Sequence, residues 1–121
     1  MHQILIVEDD PFIVDIYAIQ LKKDGYKVSV AKDGQMALDK INESIPDLLV
    51  LDLNLPKIDG WEVLRMLRQE PATKDLKVII LSNNFPQNHT QDVEYLKVIK
   101  YFVKIETSVQ EISHFIKEIL K

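Results

Sequence analysis

A chain of 121 residues is enough for one domain with a true core. Its 46% hydrophobic and 28% charged residues are ordinary for a globular protein, and a net charge of -4 argues against a nucleic-acid surface, which needs Lys and Arg to neutralise phosphates. The absence of cysteine excludes disulfides, thiolate chemistry and Cys-based zinc sites; with no signal-peptide layout and no apolar run of membrane-spanning length, a soluble cytoplasmic protein is expected.

Ile4, Leu5, Ile6 and Val7 form a short apolar run that ends on Glu8, Asp9 and Asp10. Such a run reads as a strand buried on both faces, here the central one, with its acids at the carboxyl end. Asp10 followed by Pro11 is helix-opening chemistry. Ile13, Ile16, Tyr17 and Leu21 then follow helical spacing, and Gly25 is a C-terminal stop. A second strand is expected from Val28 to Ala31. Asp33 and Gly34 form a turn that also caps, and Ala37, Leu38, Ile41 and Ile45 mark a second helix stopped before Pro46.

Leu48, Leu49, Val50 and Leu51 make a third strand that ends on Asp52. After a loop with Asn54 and Pro56, Asp59 and Glu62 have capping-box spacing for a helix burying Val63, Leu64 and Leu67, closed by Pro71. Val78, Ile79, Ile80 and Leu81 form a fourth strand ending on Ser82, Asn83 and Asn84. Asn88 and Gln91 have the spacing to cap a fourth helix that buries Val93 and Leu96. Tyr101, Phe102 and Val103 form a fifth strand ending on Lys104; Ser108 and Glu111 open a last helix with the stripe Val109, Ile112, Phe115, Ile116 and Ile119.

The order is β-α, five times over. That alternation implies an α/β fold with a five-stranded, doubly wound parallel sheet, (βα)5, and helices on both faces. Nothing marks a repeat or an internal boundary, so residues 1–121 read as one domain. The carboxyl ends of the strands collect Glu8 and Asp9, Asp52, Ser82 and Lys104. Ligands bind at that edge of such sheets. The second strand brings nothing comparable, which fits an edge position.

Three acids in one crevice repel, and a hard divalent cation relieves this. Mg²⁺ takes one or two carboxylates and keeps several waters, so Asp9 and Asp52 are expected as direct ligands, Glu8 through water, and the Asn54 backbone carbonyl as a further donor. An aspartate can also accept a phosphoryl group, whose oxygens then need positive charge and hydrogen-bond donors. Lys104 and Ser82 supply these.

Glu8 and Asp9, Asp52 with Pro56 and Gly60 after it, Ser82, and Tyr101 before Lys104 together resemble a receiver domain of bacterial two-component response regulators, similar to the single-domain chemotaxis regulators. The resemblance covers the whole chain and implies a flavodoxin-like fold. It implies Asp52 as phospho-acceptor, Glu8 and Asp9 as holders of Mg²⁺, Lys104 and Ser82 on phosphoryl oxygens, and Ser82 with Tyr101 as the switch. Asn54, Asn83 and Asn84 would govern access and phosphate lifetime. The implied partners are a histidine kinase or histidine phosphotransfer protein and a downstream protein target or output domain, which reads the surface of the fourth helix, fifth strand and fifth helix. Such a protein is not an enzyme on other molecules; it catalyses only its own phosphorylation and dephosphorylation. No organic cofactor is implied.

Two positions depart from that pattern. Ile105 stands where the family has a proline preceded by a cis bond, which without proline costs roughly 2.5–4 kcal/mol. Either that strain is carried, or the bond is trans and Lys104 points differently. Asn83 is larger than the usual small residue after the serine. A glycine usual at the end of the fourth helix is also absent, with Lys97 near that point.

An aspartyl-phosphate phosphatase would need a second aspartate two residues after the first as general acid, and Asn54 stands there. With Gly25, Gly34 and Gly60 as the only glycines, no dinucleotide fingerprint or P-loop exists. The remaining alternative is a receiver-like module that docks partners without phosphorylation, carried by Asn83 and Ile105. Trp61 is read as helix packing, Lys97 and Lys100 as a solvated face, and His2, His89 and His114 as surface residues.

Overall fold

The continuous apolar runs become strands and the 3.6-periodic stretches become helices. In the computed structural model, which describes residues 1–86 and 90–121, these are β1 (Gln3–Val7), α1 (Pro11–Lys23), β2 (Lys27–Ala31), α2 (Gly34–Glu43), β3 (Leu48–Asp52), α3 (Gly60–Gln69), β4 (Lys77–Ser82), α4 (Thr90–Tyr95), β5 (Lys100–Val103) and α5 (Val109–Ile119). A single 3-10 turn, Lys104–Glu106, follows β5. All five strands are parallel in the order β2-β1-β3-β4-β5. The edge position of β2 agrees with its polar-poor carboxyl end. The central strand is β3, not β1 as the sequence implied: β1 is just as buried, but burial on both faces does not distinguish the middle strand from its neighbour.

Side chains alternate across the sheet, so each strand feeds two cores. Leu5, Val7, Leu49 and Leu51 pack with Ala37 and Ile41 of α2 and with Val63, Leu64 and Leu67 of α3. Ile4, Ile6, Leu48 and Val50 pack on the other face with Tyr17, Ala18 and Leu21 of α1 and with Ile112 and Ile116 of α5. Trp61 is buried in the first of these cores.

The helix ends follow local chemistry. Asp10 accepts from the Phe12 N–H at 2.9 Å, Asp33 from Met36 at 2.8 Å and Asp59 from Glu62 at 3.0 Å. Ser108 and Glu111 form the full reciprocal box. Gly25, at φ 98, closes α1 with the Tyr26 N–H on the Leu21 carbonyl at 3.1 Å. Asp59 caps from one side only, because the Glu62 carboxylate faces Arg65 at 3.5 Å.

Two apolar residues go elsewhere than their spacing implied. Ile16 is 54% exposed: α1 carries two apolar ridges, and the one through Tyr17 and Leu21 turns inward while Phe12, Ile16 and Ile19 face out. Ile45 is 47% exposed, because α2 ends at Glu43 and the extended Ser44 takes the chain out of helical phase. The helix-capping role given to Asn88, and His89, lie outside the described residues.

Candidate functional site

The order of strands reverses between β1 and β3, and the acids meet at that switch point. The ladder between β1 and β2 continues through the Glu8 N–H, 3.0 Å from the Ala31 carbonyl, which carries Glu8 into the sheet edge. Glu8 is 4% exposed and Asp52, the last residue of β3, 5% exposed, whereas Asp9 is open to solvent. Carboxylate oxygens of Glu8, Asp9 and Asp52 all lie within 4.8 Å of one another.

Lys104 reaches this group from the end of β5. Its Nζ is 2.5 Å from Glu8 Oε1 and 3.6 Å from Asp52 Oδ2. Among the described residues no peptide bond is cis, so the bond between Lys104 and Ile105 is trans and the ammonium still enters the pocket. The 3-10 turn carries the chain on, leaving Ile105 exposed. Glu8 Oε2 accepts from the N–H groups of Asp9 at 3.1 Å and Asp10 at 3.3 Å, and Asp52 Oδ1 accepts from the Asn54 N–H at 3.3 Å.

Burial pushes the Glu8 carboxyl above its ordinary 4.5, and the Asp52 charge adds to this against the opposing pull of Lys104. Burial works against the Lys104 ammonium as well. The hydrogen bond it donates to Glu8 and the charge of Asp52 outweigh this, and the Lys104 pKa lies above its ordinary 10.5. Tyr17, buried under α1, senses both charges, though its own pKa is raised first by burial.

On the far side, Ser82 ends β4 and is buried; its Oγ accepts from the Asn84 N–H at 3.2 Å. Asn83 and Asn84 are exposed. Half-buried Tyr101 donates its hydroxyl to the Asn84 carbonyl at 2.7 Å, tying β5 to the segment after Ser82. A cavity of about 450 Å³ lies among Asn54, Asp59, Trp61, Ser82, Asn83, Asn84 and Tyr101, and Leu53, the residue after Asp52, also lines it. Lys97 and Lys100 are exposed, as their reading as a solvated face expects; Lys97 also holds a left-handed conformation, φ 59, and lies 3.1 Å from Asp75.

Gly60, already part of the pattern that carries the family resemblance, positions this site. A Cβ at Gly60 would stand 2.6 Å from the Asp52 carbonyl oxygen and 2.7 Å from Leu53 Cα, so α3 can begin against the end of β3 only with glycine there. His2 lies by Asp47 and the Tyr26 ring, and His114 by Glu118; neither belongs to the Glu8, Asp9 and Asp52 cluster.

The chain belongs to the response regulator receiver domain family, which it matches over residues 4–116. It is 43% identical over 82 residues, 68% of its length, to the DNA-binding dual master transcriptional regulator RpaA of Synechocystis sp., of which the match covers 34%. The chain spans about a third of the length of the curated relatives it matches. Among solved structures it resembles a CheY-like response regulator receiver domain protein from Methanospirillum hungatei, with a TM-score of 0.90 and 26% identity over 99% of this chain and 94% of that one. The phosphorylated cyanobacterial phytochrome response regulator RcpA gives a TM-score of 0.82 and 28% identity over 98% of this chain and 90% of its own. The chain is thus a receiver domain of the two-component type, with an acidic cluster in the family's pocket; no helix among the described residues is long and apolar enough to cross a membrane.

Proposed function

We propose that this domain is a phospho-accepting switch. A histidine kinase or histidine phosphotransfer protein gives a phosphoryl group to Asp52, and the altered surface of α4, β5 and α5 is read by a downstream protein target or output domain. The observation that carries this reading is Asp52 itself: a buried carboxylate at the end of the central strand, with an ammonium 3.6 Å away and two more carboxylates gathered beside it.

In the transfer, an Asp52 oxygen forms a bond to phosphorus as the bond to the donor nitrogen breaks, and the imidazole leaves with the electron pair. Lys104 stands where it can hold a phosphoryl oxygen, and Ser82 can turn its hydroxyl proton to another. The pocket fits a divalent cation, because three carboxylates offer oxygens within 4.8 Å and one of them, Asp9, is open to water. Bound Mg²⁺ would supply positive charge to the transferring oxygens. Both Glu8 oxygens are already engaged, by Lys104 and by main-chain N–H groups. That supports Asp9, Asp52 and the Asn54 carbonyl as direct holders, with Glu8 acting through water.

Asn54 cannot serve as the general acid of a phosphatase, which favours a lasting acyl phosphate over turnover of other substrates. Asn54, Asn83 and Asn84 at the mouth would set access and lifetime. Docking without phosphorylation draws little support from Ile105, since Lys104 reaches the acids with that residue in place.

Incubation with Mg²⁺ and acetyl phosphate should add one phosphoryl group, about 80 Da by mass. Mg²⁺ with beryllofluoride should raise the melting temperature by mass action. Asp52→Asn should abolish the adduct. No adduct and no Mg²⁺-dependent thermal shift would overturn the reading.

A further inference from the structure

The guanidinium of Arg68, in the last turn of α3, joins two separate stretches of main chain. Nε donates to the Leu96 carbonyl at 2.8 Å and Nη2 to that of Lys97 at 3.4 Å. Nη1 donates to the carbonyls of Thr73 and Lys74, each at 3.0 Å. The first two carbonyls close α4, and the other two lie in the turn leading into β4. A planar fork of N–H groups can bridge such acceptors, and a cation is favoured where helix carbonyls converge.

The end of α4 is itself a closed motif. The Lys97 N–H bonds the Glu94 carbonyl at 3.1 Å and the Val98 N–H bonds that of Val93 at 3.0 Å, with Lys97 left-handed between them. Leu96 is buried in the core beside α3. Lys97 faces Asp75 at 3.1 Å at this same end, whereas the first turn of α4 meets α3 through a longer pair, Arg65 to Asp92 at 3.8 Å. The approach to α4 from Ser82 is held differently: Asn83, Asn84 and Phe85 are exposed, and Asn84 is fastened to the switch residues themselves, by its N–H to Ser82 Oγ at 3.2 Å and by its carbonyl to the Tyr101 hydroxyl at 2.7 Å.

We propose that Arg68 pins the C-terminal end of α4 to α3, so that α4 answers a shift at Ser82 by swinging about residues 96–97 instead of sliding as a unit. The trigger rests on the phospho-acceptor reading; the pin does not.

Amide hydrogen exchange by NMR tests the pin in the unphosphorylated protein. In Arg68→Met, the amides of Leu96, Lys97 and Val98 should exchange about tenfold faster or more, as the loss of a charged hydrogen bond allows. Those of Leu49 and Val50 should change only with global stability, measured separately in urea. Arg68→Lys should restore little, because one ammonium does not bridge both pairs of carbonyls; if Arg68→Met does not fold, Arg68→Lys reads the same contrast. Equal acceleration at residues 96–98 and in β3, or full rescue by lysine, would overturn the pin. With Mg²⁺ and beryllofluoride, the wild type should show its backbone shifts at Gln91 and Asp92, with residues 96–98 nearly unchanged; in Arg68→Lys the shifts should spread to residues 96–98. Equal shifts at both ends of wild-type α4 would overturn the swing. No Mg²⁺-dependent beryllofluoride effect anywhere would instead count against the phospho-acceptor reading, and the exchange comparison would still decide the pin.

Discussion

Lys104 and Glu8 meet across the sheet, with the ammonium at the end of β5 lying 2.5 Å from a carboxylate just past the end of β1. The pair is nearly closed to solvent, and Asp52 lies 3.6 Å from the same nitrogen. The ammonium thus holds together two acids that would otherwise repel.

Lys104→Met should lower stability at neutral pH, on the order of 3 kcal/mol, the cost of leaving one side of a buried pair uncompensated. The same change should tighten Mg²⁺ binding, because a positive charge leaves the cation's surroundings. Thermal melts across a Mg²⁺ titration read both effects. An unchanged Mg²⁺ midpoint would show that Lys104 adds nothing to the field at the acids.

Gly60→Ala should destabilise by about 1–3 kcal/mol or more, since the added methyl meets main chain and not a flexible side chain. The atoms in its way are the Asp52 carbonyl oxygen and Leu53 Cα, so the variant should also lose phosphoryl acceptance. Urea denaturation together with adduct mass checks this, and wild-type values in both would refute the close approach of α3 to β3.

Lys97→Gly should stabilise by about 1 kcal/mol, because a left-handed backbone penalises any side chain with a Cβ. The ion pair with Asp75 that it sacrifices is largely exposed and contributes little. A rise in the urea midpoint with unchanged slope is the expected result, and a fall would mean that Lys97 does more than close the helix.

Ser113→Ala should cost about 1.5–3 kcal/mol at neutral pH, the worth of a hydrogen bond to a charged group. Ser113 donates to Asp24 at 2.5 Å, joining α5 to the end of α1. Burial pushes the Asp24 carboxyl up, but Ser113, Gln20 and Lys117 outweigh it and hold its pKa below the ordinary 3.8. A carboxylate with a lowered folded pKa contributes stability that is present above 3.8 and lost as pH falls through the folded value. The gap between wild type and Ser113→Ala should therefore narrow below pH 3.8, as urea midpoints against pH would show; a gap constant with pH would deny the linkage.

Much of the molecule was legible from local pattern. Apolar runs ending on Glu8, Asp52, Ser82 and Lys104 marked parallel strands because such strands are buried on both faces and must turn polar where they emerge. The caps at Asp10, Asp33, Asp59 and Ser108 were legible because a cap joins residues only two or three apart. Ile16 was misread because both ridges of α1 are apolar and only the sheet selects one.

Chain order and local chemistry by themselves determined the five βα units, the helix starts after Asp10, Asp33, Asp59 and Ser108, and which side chains arrive at the carboxyl edge. Only the tertiary structure decided that β3 is central, that Glu8 belongs to Lys104, that a trans peptide still delivers that lysine, and that Arg68 closes α4 from α3. Glu8 and Lys104 lie at opposite ends of the chain, as do Asp24 and Ser113. Periodicity and capping act over a few residues, whereas such meetings depend on how strands stack and which helix ridge packs. Those distances exist only once the sheet has closed around its two cores.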